Sequence, residues 1–118
     1  MTTDLDLAAL AAIDVHVHVE SDGHGRRSLD DELLDASAKY FKAAGNDRPP
    51  TVEQIADYYR PRQMAAVVFT VDATTATGHQ ALSSEEVADR AAAHSDILIP
   101  FGSVDPLAGE EAVRRARR

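Results

Sequence analysis

The stretch "AAIDVHVHVE", residues 11–20, places two histidines one residue apart in a β-branched, apolar run near the N-terminus. Because side chains alternate across a strand, we expect Asp14, His16 and His18 on one face. The other face then carries Ile13, Val15, Val17 and Val19. Imidazoles two residues apart lie about 6–7 Å apart at Cα, and both rings can reach one ion at about 2.0–2.1 Å. The spacing therefore predicts a divalent metal site with His16 and His18 as ligands.

A second interpretation of the histidine pair stays open. The chain has five histidines, and an exposed pair on the polar face of an edge strand gives the same pattern. Cysteine is absent, so the candidate metal ligands are restricted to His, Asp and Glu. His24 lies in the glycine-rich stretch "SDGHGRRS". We predict that His24 contacts substrate, with a third metal ligand or a solvated loop residue as the alternatives.

The remaining histidines and three aspartates have simpler interpretations. His79, in a polar loop, and His94, at a helix end, are predicted to be structural or exposed. Asp105 precedes a proline at a predicted helix start, which predicts that Asp105 is the N-cap of that helix. Asp72 is expected to organise the turn in which it lies. Asp14 lies deepest in its strand and is expected to hold its neighbours.

Composition restricts the partners. The formal net charge of −8 argues against nucleic acid and against anionic membranes as partners. The N-terminus "MTTDLDLAAL" carries aspartates where a signal peptide carries Lys or Arg, and no apolar run approaches the roughly 20 residues of a membrane span. We therefore expect a small-molecule substrate and a cytoplasmic location.

Strand and helix patterns alternate along the chain. Apolar runs predict strands at 12–19, 64–73 and 96–106, and helical spacing predicts helices at 52–62, 85–94 and 107–118. Thr51 with Gln54, and Ser83 with Glu86, have the spacing of capping boxes. This order predicts an α/β fold built of parallel β/α units. Residues 20–50 form a long insertion, with a short helix at 28–42, at the strand end where α/β folds bind ligands.

Two segments resemble one enzyme family. "IDVHVHV" (13–19) and "FGSVDP" (101–106) resemble the amidohydrolase superfamily, in particular the amidohydrolase-related branch that includes aminocarboxymuconate semialdehyde decarboxylase and aromatic-acid decarboxylases. The resemblance implies a distorted (β/α)₈ barrel. It also implies one divalent ion, usually zinc, held by the His-x-His pair, a histidine on a later strand and an aspartate near the eighth strand. His16 and His18 match the first pair.

An eight-stranded barrel needs about 250 residues, so residues 1–118 are expected to be the N-terminal part of a longer TIM barrel and inactive alone. The catalytic residues are then expected on later strands. The full-length protein is expected to hydrolyse or decarboxylate a small carboxylic substrate, with aromatic and β-keto acids as candidates, and the family implies a homodimer. The alternative is a small α/β binding module, or an inactive fragment, with incidental histidines.

Overall fold

Three parallel strands form the centre of the fold. The computed structural model describes residues 4–40 and 49–118. The sheet has the order β1-β2-β3, with β1 at Ala12–His18, β2 at Met64–Phe69 and β3 at Leu98–Pro100. The predicted parallel α/β arrangement is confirmed. The second and third strands are shorter than predicted, because the chain turns into polar loops near Asp72 and Ser103.

The described residues contain five α-helices: α1 Asp31–Tyr40, α2 Val52–Tyr59, α3 Thr74–Thr77, α4 Ser84–Ala91 and α5 Glu110–Ala116. Short 3₁₀ turns cover Arg60–Arg62, Ala92–His94 and Pro106–Ala108. The helix predicted at 28–42 begins later, because Ser28 is buried and hydrogen-bonds Thr70; its last two residues lie outside the described residues. None of the helices that the structure describes has the length and apolarity needed to cross a bilayer.

The predicted helix starts differ in how completely they are capped. At α2, Thr51 Oγ1 accepts from Gln54 N, and the Gln54 side chain accepts from Thr51 N, which confirms the capping box. At α4, Ser83 Oγ accepts from Glu86 N. The Glu86 carboxylate instead binds Arg26, at 2.6 Å. Arg26, 60 residues earlier in the chain, therefore binds the Glu86 side chain that would otherwise complete the second capping box.

The core lies between one face of the sheet and helices α2 and α4. Its buried side chains are Val19, Val52, Ile55, Ala56, Ala66, Val68, Leu82, Val87, Ala91, Ile97 and Leu98. Every second residue of β2 contributes, as alternation across a strand requires. Val17 and Tyr59 pack against the edge of this cluster. The sheet face that packs against α2 and α4 is called the helix face.

A β-bulge interrupts β1 next to the histidines. Asp14 pairs with Ala66 and Val17 pairs with Val68, so β1 advances three residues where β2 advances two. One extra residue reverses the alternation of side chains along a strand. Since Ala66 and Val68 belong to the core, Asp14 and Val17 both lie on the helix face.

The bulge corrects two expectations about β1. Asp14 does not share a face with His16 and His18, because the extra residue turns its carboxylate toward α2. The apolar residues do not form one buried face either. Val17 and Val19 pack in or against the core, whereas Val15, within the bulge, is 71% exposed.

Candidate metal centre

The two histidines of β1 converge at the carboxyl end of the strand. His16 lies within the bulge and His18 is the last residue of β1. Their Nε2 atoms are 2.9 Å apart and their ring centroids 4.9 Å apart. Two nitrogens that each lie about 2.0–2.1 Å from one tetrahedral ion are themselves separated by about 3.3–3.4 Å. The rings therefore already have nearly the separation that a shared ion requires.

Glu20 orients the ring of His18. Its Oε1 lies 3.2 Å from His18 Nδ1, and both side chains are partly buried. If Nδ1–H donates to the carboxylate, the Nε2 lone pair of His18 is free to accept, and His16 Nε2–H is the donor between the rings. A carboxylate on the outer nitrogen is the usual arrangement around metal-binding imidazoles.

An aromatic side chain from β2 contacts both imidazoles. Phe69 is the residue of β2 paired with His18, and the two ring centroids are 5.0 Å apart in an edge-on arrangement. The Phe69 ring also lies 5.5 Å from that of His16. These contacts place the three rings on the sheet face opposite the helix face. Neighbours on two strands thus restrict how the imidazoles can rotate.

On the helix face, Asp14 joins the bulge to α2. Its Oδ1 accepts from His16 N at 3.1 Å, and its Oδ2 accepts from the hydroxyl of Tyr59 at 2.5 Å. The bond from Tyr59, followed by that from His16 N, lowers the pKa of Asp14. Burial, together with the bond to Asp14, raises the pKa of Tyr59 to about 12. Tyr59 is therefore a neutral donor to an ionised carboxylate at neutral pH.

The histidine pair accounts for two of the metal ligands that the sequence predicts. Among the residues that the structure describes, no group of three or more His, Cys, Asp or Glu is placed to hold a metal ion. Catalytic zinc usually has three protein ligands. His16 and His18 thus fit one part of a metal site, and a complete site needs further ligands.

The structure places the other histidines in separate surroundings. His24 is exposed in a loop, where its backbone N donates to Asp22, and its predicted contact with substrate stays a prediction. His79 Nε2 contacts Arg27 O at 2.7 Å. His94 ends a 3₁₀ turn beside Arg60. These contacts agree with structural roles for His79 and His94.

Asp72 and Asp105 have the local roles predicted for them. Asp72 Oδ1 accepts from the backbone N and the hydroxyl of Thr74, and so organises the turn after β2. Asp105 is buried and caps the 3₁₀ turn through Leu107 N, while its other oxygen accepts from Thr75 N. These bonds, that from Thr75 foremost, lower the pKa of Asp105.

Two clefts lie near the loops that follow the strands. One, of about 620 Å³, separates the glycine-rich loop at 25–31 from residues 78–82. The other, of about 1110 Å³, lies between the loops after β2 and β3 and helix α5. Neither cleft is lined by His16 or His18. The histidine pair lies outside both clefts, with His16 exposed and His18 partly exposed on the sheet face opposite the helix face.

Three neighbours of the histidines were not identified from the sequence. Glu20 follows His18 by two residues, and alternation along an extended chain signals that pairing. Phe69 and Tyr59 carry no such local signal. Each meets β1 through pairing or packing between elements more than 40 residues apart in the chain.

Comparisons of this chain with protein-family models, curated proteins and solved structures give no match.

Proposed function

We propose that this chain forms the metal-binding N-terminal part of an amidohydrolase-type enzyme that hydrolyses or decarboxylates a small carboxylic substrate. The observation that carries the proposal is the 2.9 Å approach of the two Nε2 atoms at the carboxyl end of the first parallel strand. In parallel α/β folds, that edge is where ligands bind. The motifs "IDVHVHV" and "FGSVDP" favour this family over an incidental histidine pair.

In the proposed enzyme, the three strands are the first units of a distorted (β/α)₈ barrel. The sheet face that carries His16, His18 and Phe69 would then line the barrel interior. The remaining ligands and the catalytic acid or base would come from later strands. A homodimer, a cytoplasmic location and substrate contact by His24 belong to the same proposal.

In the proposed site, the described residues would position the metal ion and set the protonation state of the imidazoles that bind it. A bound divalent ion, zinc by family resemblance, supplies Lewis-acid polarisation of a water or substrate oxygen. His16 and His18 would bind the ion through Nε2. Glu20 accepts the Nδ1–H of His18 and keeps the Nε2 lone pair of that ring directed outward. In the tautomer in which His18 Nδ1–H donates to Glu20, the proton between the rings lies on His16 Nε2, and it would have to move to Nδ1 before His16 Nε2 could bind the ion.

Metal binding is tested by calorimetric titration of the metal-stripped full-length protein with zinc, because His16 and His18 alone leave the proposed site incomplete. We expect about one zinc per chain, and at least a tenfold weaker affinity in the double variant His16→Ala/His18→Ala. His94→Ala is the matched control, because it removes a histidine beside Arg60 and should change the affinity less than twofold. Absence of zinc binding by the wild type, or equal binding by the double variant, would refute the metal site and favour incidental histidines.

The reaction class is tested on the zinc-loaded full-length protein with aromatic and β-keto carboxylic acids. Release of carbon dioxide would identify a carboxy-lyase. Incorporation of ¹⁸O from labelled water into the product would identify a hydrolase. A protein that binds zinc through His16 and His18 but gives neither result across these acids would retain the metal site and lose the proposed substrate class.

A further inference from the structure

The bulge in β1 determines where His16 points. The bulge consists of Val15 and His16, which lie between Asp14 and Val17 and together oppose the single residue Val67 of β2. Without the extra residue, strict alternation would leave Asp14 on the same face as His16 and His18. Slippage of the insertion by one residue would exchange the faces of the side chains that it passes. The approach of the two Nε2 atoms therefore depends on the position of the bulge.

A bulge disturbs the hydrogen-bond ladder, and the displaced backbone groups need other partners. Here the backbone N of His16 donates to the Asp14 carboxylate at 3.1 Å. The bond connects the residue before the insertion to the inserted histidine itself. The Asp14 carboxylate thus takes the place of a ladder acceptor on the neighbouring strand.

The second oxygen of Asp14 connects this arrangement to the helix layer. It accepts from the hydroxyl of Tyr59, the last residue of α2, at 2.5 Å. Tyr59 packs against the core together with Val17, the first residue after the insertion. Helix α2 therefore holds the residue before the bulge by a hydrogen bond, and the residue after the bulge packs against the same core cluster as Tyr59.

We propose that Asp14 and Tyr59 are positioning residues: the chain Tyr59 OH–Asp14–His16 N fixes the bulge in the register that brings His16 Nε2 to His18 Nε2. The metal-binding consequence rests on the proposed function. The geometric consequence does not, since the two imidazoles are in contact without a metal. The two parts are tested separately.

The first test uses the metal-free chain and the single-atom variant Tyr59→Phe. Tyr58→Phe is the matched control, because Tyr58 is the neighbouring residue of the same helix, 54% exposed, with its ring against Arg62. Nitrogen-15 spectra of labelled imidazoles report the tautomer and hydrogen bonding of each ring. In Tyr59→Phe we expect the His16 and His18 signals to move toward those of the exposed His24, and in Tyr58→Phe to stay unchanged.

Imidazole signals of Tyr59→Phe that coincide with those of the wild type would overturn the positioning role. Should Tyr59→Phe fail to fold by circular dichroism, Asp14→Asn provides the same test. It keeps the size of the side chain, but a single carboxamide oxygen must serve both donors. A folded Asp14→Asn with unchanged His16 and His18 signals would equally overturn it.

The second test measures zinc affinity in the same variants of the full-length protein. We expect Tyr59→Phe to weaken zinc binding about three- to tenfold, and Tyr58→Phe to leave it within twofold. A wild-type chain that binds no zinc refutes the proposed function alone, because the imidazole spectra still decide whether the bulge is held. Zinc affinity unchanged in Tyr59→Phe, in a wild type that binds zinc through His16 and His18, overturns the positioning role.

Discussion

Replacing Phe69 with leucine should weaken metal binding by releasing both imidazoles. The centroid of the Phe69 ring lies 5.0 Å from that of His18 and 5.5 Å from that of His16. Glu20 contacts Nδ1 of His18, and the bulge positions the backbone of His16. Leucine keeps an apolar side chain in β2 but removes the aromatic surface. The rings then gain rotational freedom that binding must take away again.

The size of the effect follows from the two ring contacts. An aromatic pair contributes about 0.5–1.5 kcal/mol beyond its buried area. Because both imidazoles are partly exposed, the lower half of that range, about 0.5–1 kcal/mol, applies to each contact, and two contacts give about 1–2 kcal/mol. At about 1.4 kcal/mol per tenfold change, the zinc dissociation constant should rise about five- to thirtyfold.

The assay is calorimetric titration with zinc, accompanied by thermal unfolding. Phe101→Leu is the matched control: Phe101 follows β3, is 58% exposed, and should leave the zinc affinity within twofold. A dissociation constant that stays constant in Phe69→Leu, while the melting temperature falls, would show that the ring packs without ordering the imidazoles. An equal loss in Phe101→Leu would assign the effect to the sheet as a whole.

Two further predictions concern stability. Leu98→Ala, which truncates a core side chain 2% exposed, should lower the free energy of unfolding by about 2–5 kcal/mol in urea titrations, whereas Leu107→Ala, at a site 64% exposed, should cost at most about 0.5 kcal/mol; equal losses would contradict the assigned core. The Asp22 carboxylate accepts from His24 N and from Arg26, which lowers its pKa from 3.8 to about 2. Its contribution to stability is therefore complete above about pH 4 and is lost as the pH falls through 3.8 toward 2. Asp22→Asn should flatten that part of the acid unfolding profile, and a profile as steep as that of the wild type would contradict this assignment.

Local chemistry in the sequence was enough to predict much of the fold. Thr51 and Gln54 cap α2 as their spacing indicates, and Asp105 caps its turn. The parallel pairing of the strands also follows from the alternation of apolar runs with helical patterns. These features depend on residues within a few positions of one another, so the sequence order already contains them.

The features that shape the site depend instead on distant partners. Asp14 was expected beside His16 because the strand was treated as regular. The bulge becomes visible only in the pairing of β1 with β2 and in the bond to Tyr59, 45 residues away. Likewise, Glu86 leaves its capping position for Arg26, 60 residues earlier. Such competition between a local and a distant partner is decided by tertiary packing, which no spacing rule contains.

The two faces of the sheet connect the site to the proposed barrel. Parallel sheets are normally covered on both faces. Here helices α2 and α4 cover the helix face, whereas the face with the histidine pair is accessible at Ile13 in β1 and Phe101 just after β3, and buried at Ala65 and Val67 of the central strand, within the described part of the chain. The same face carries His16 and His18, which under the proposed function are two of the three ligands that a catalytic zinc usually needs. Under the proposed function, the uncovered sheet face and the incomplete set of metal ligands have the same cause. The later strands that would cover this face would also bring the missing ligand to His16 and His18.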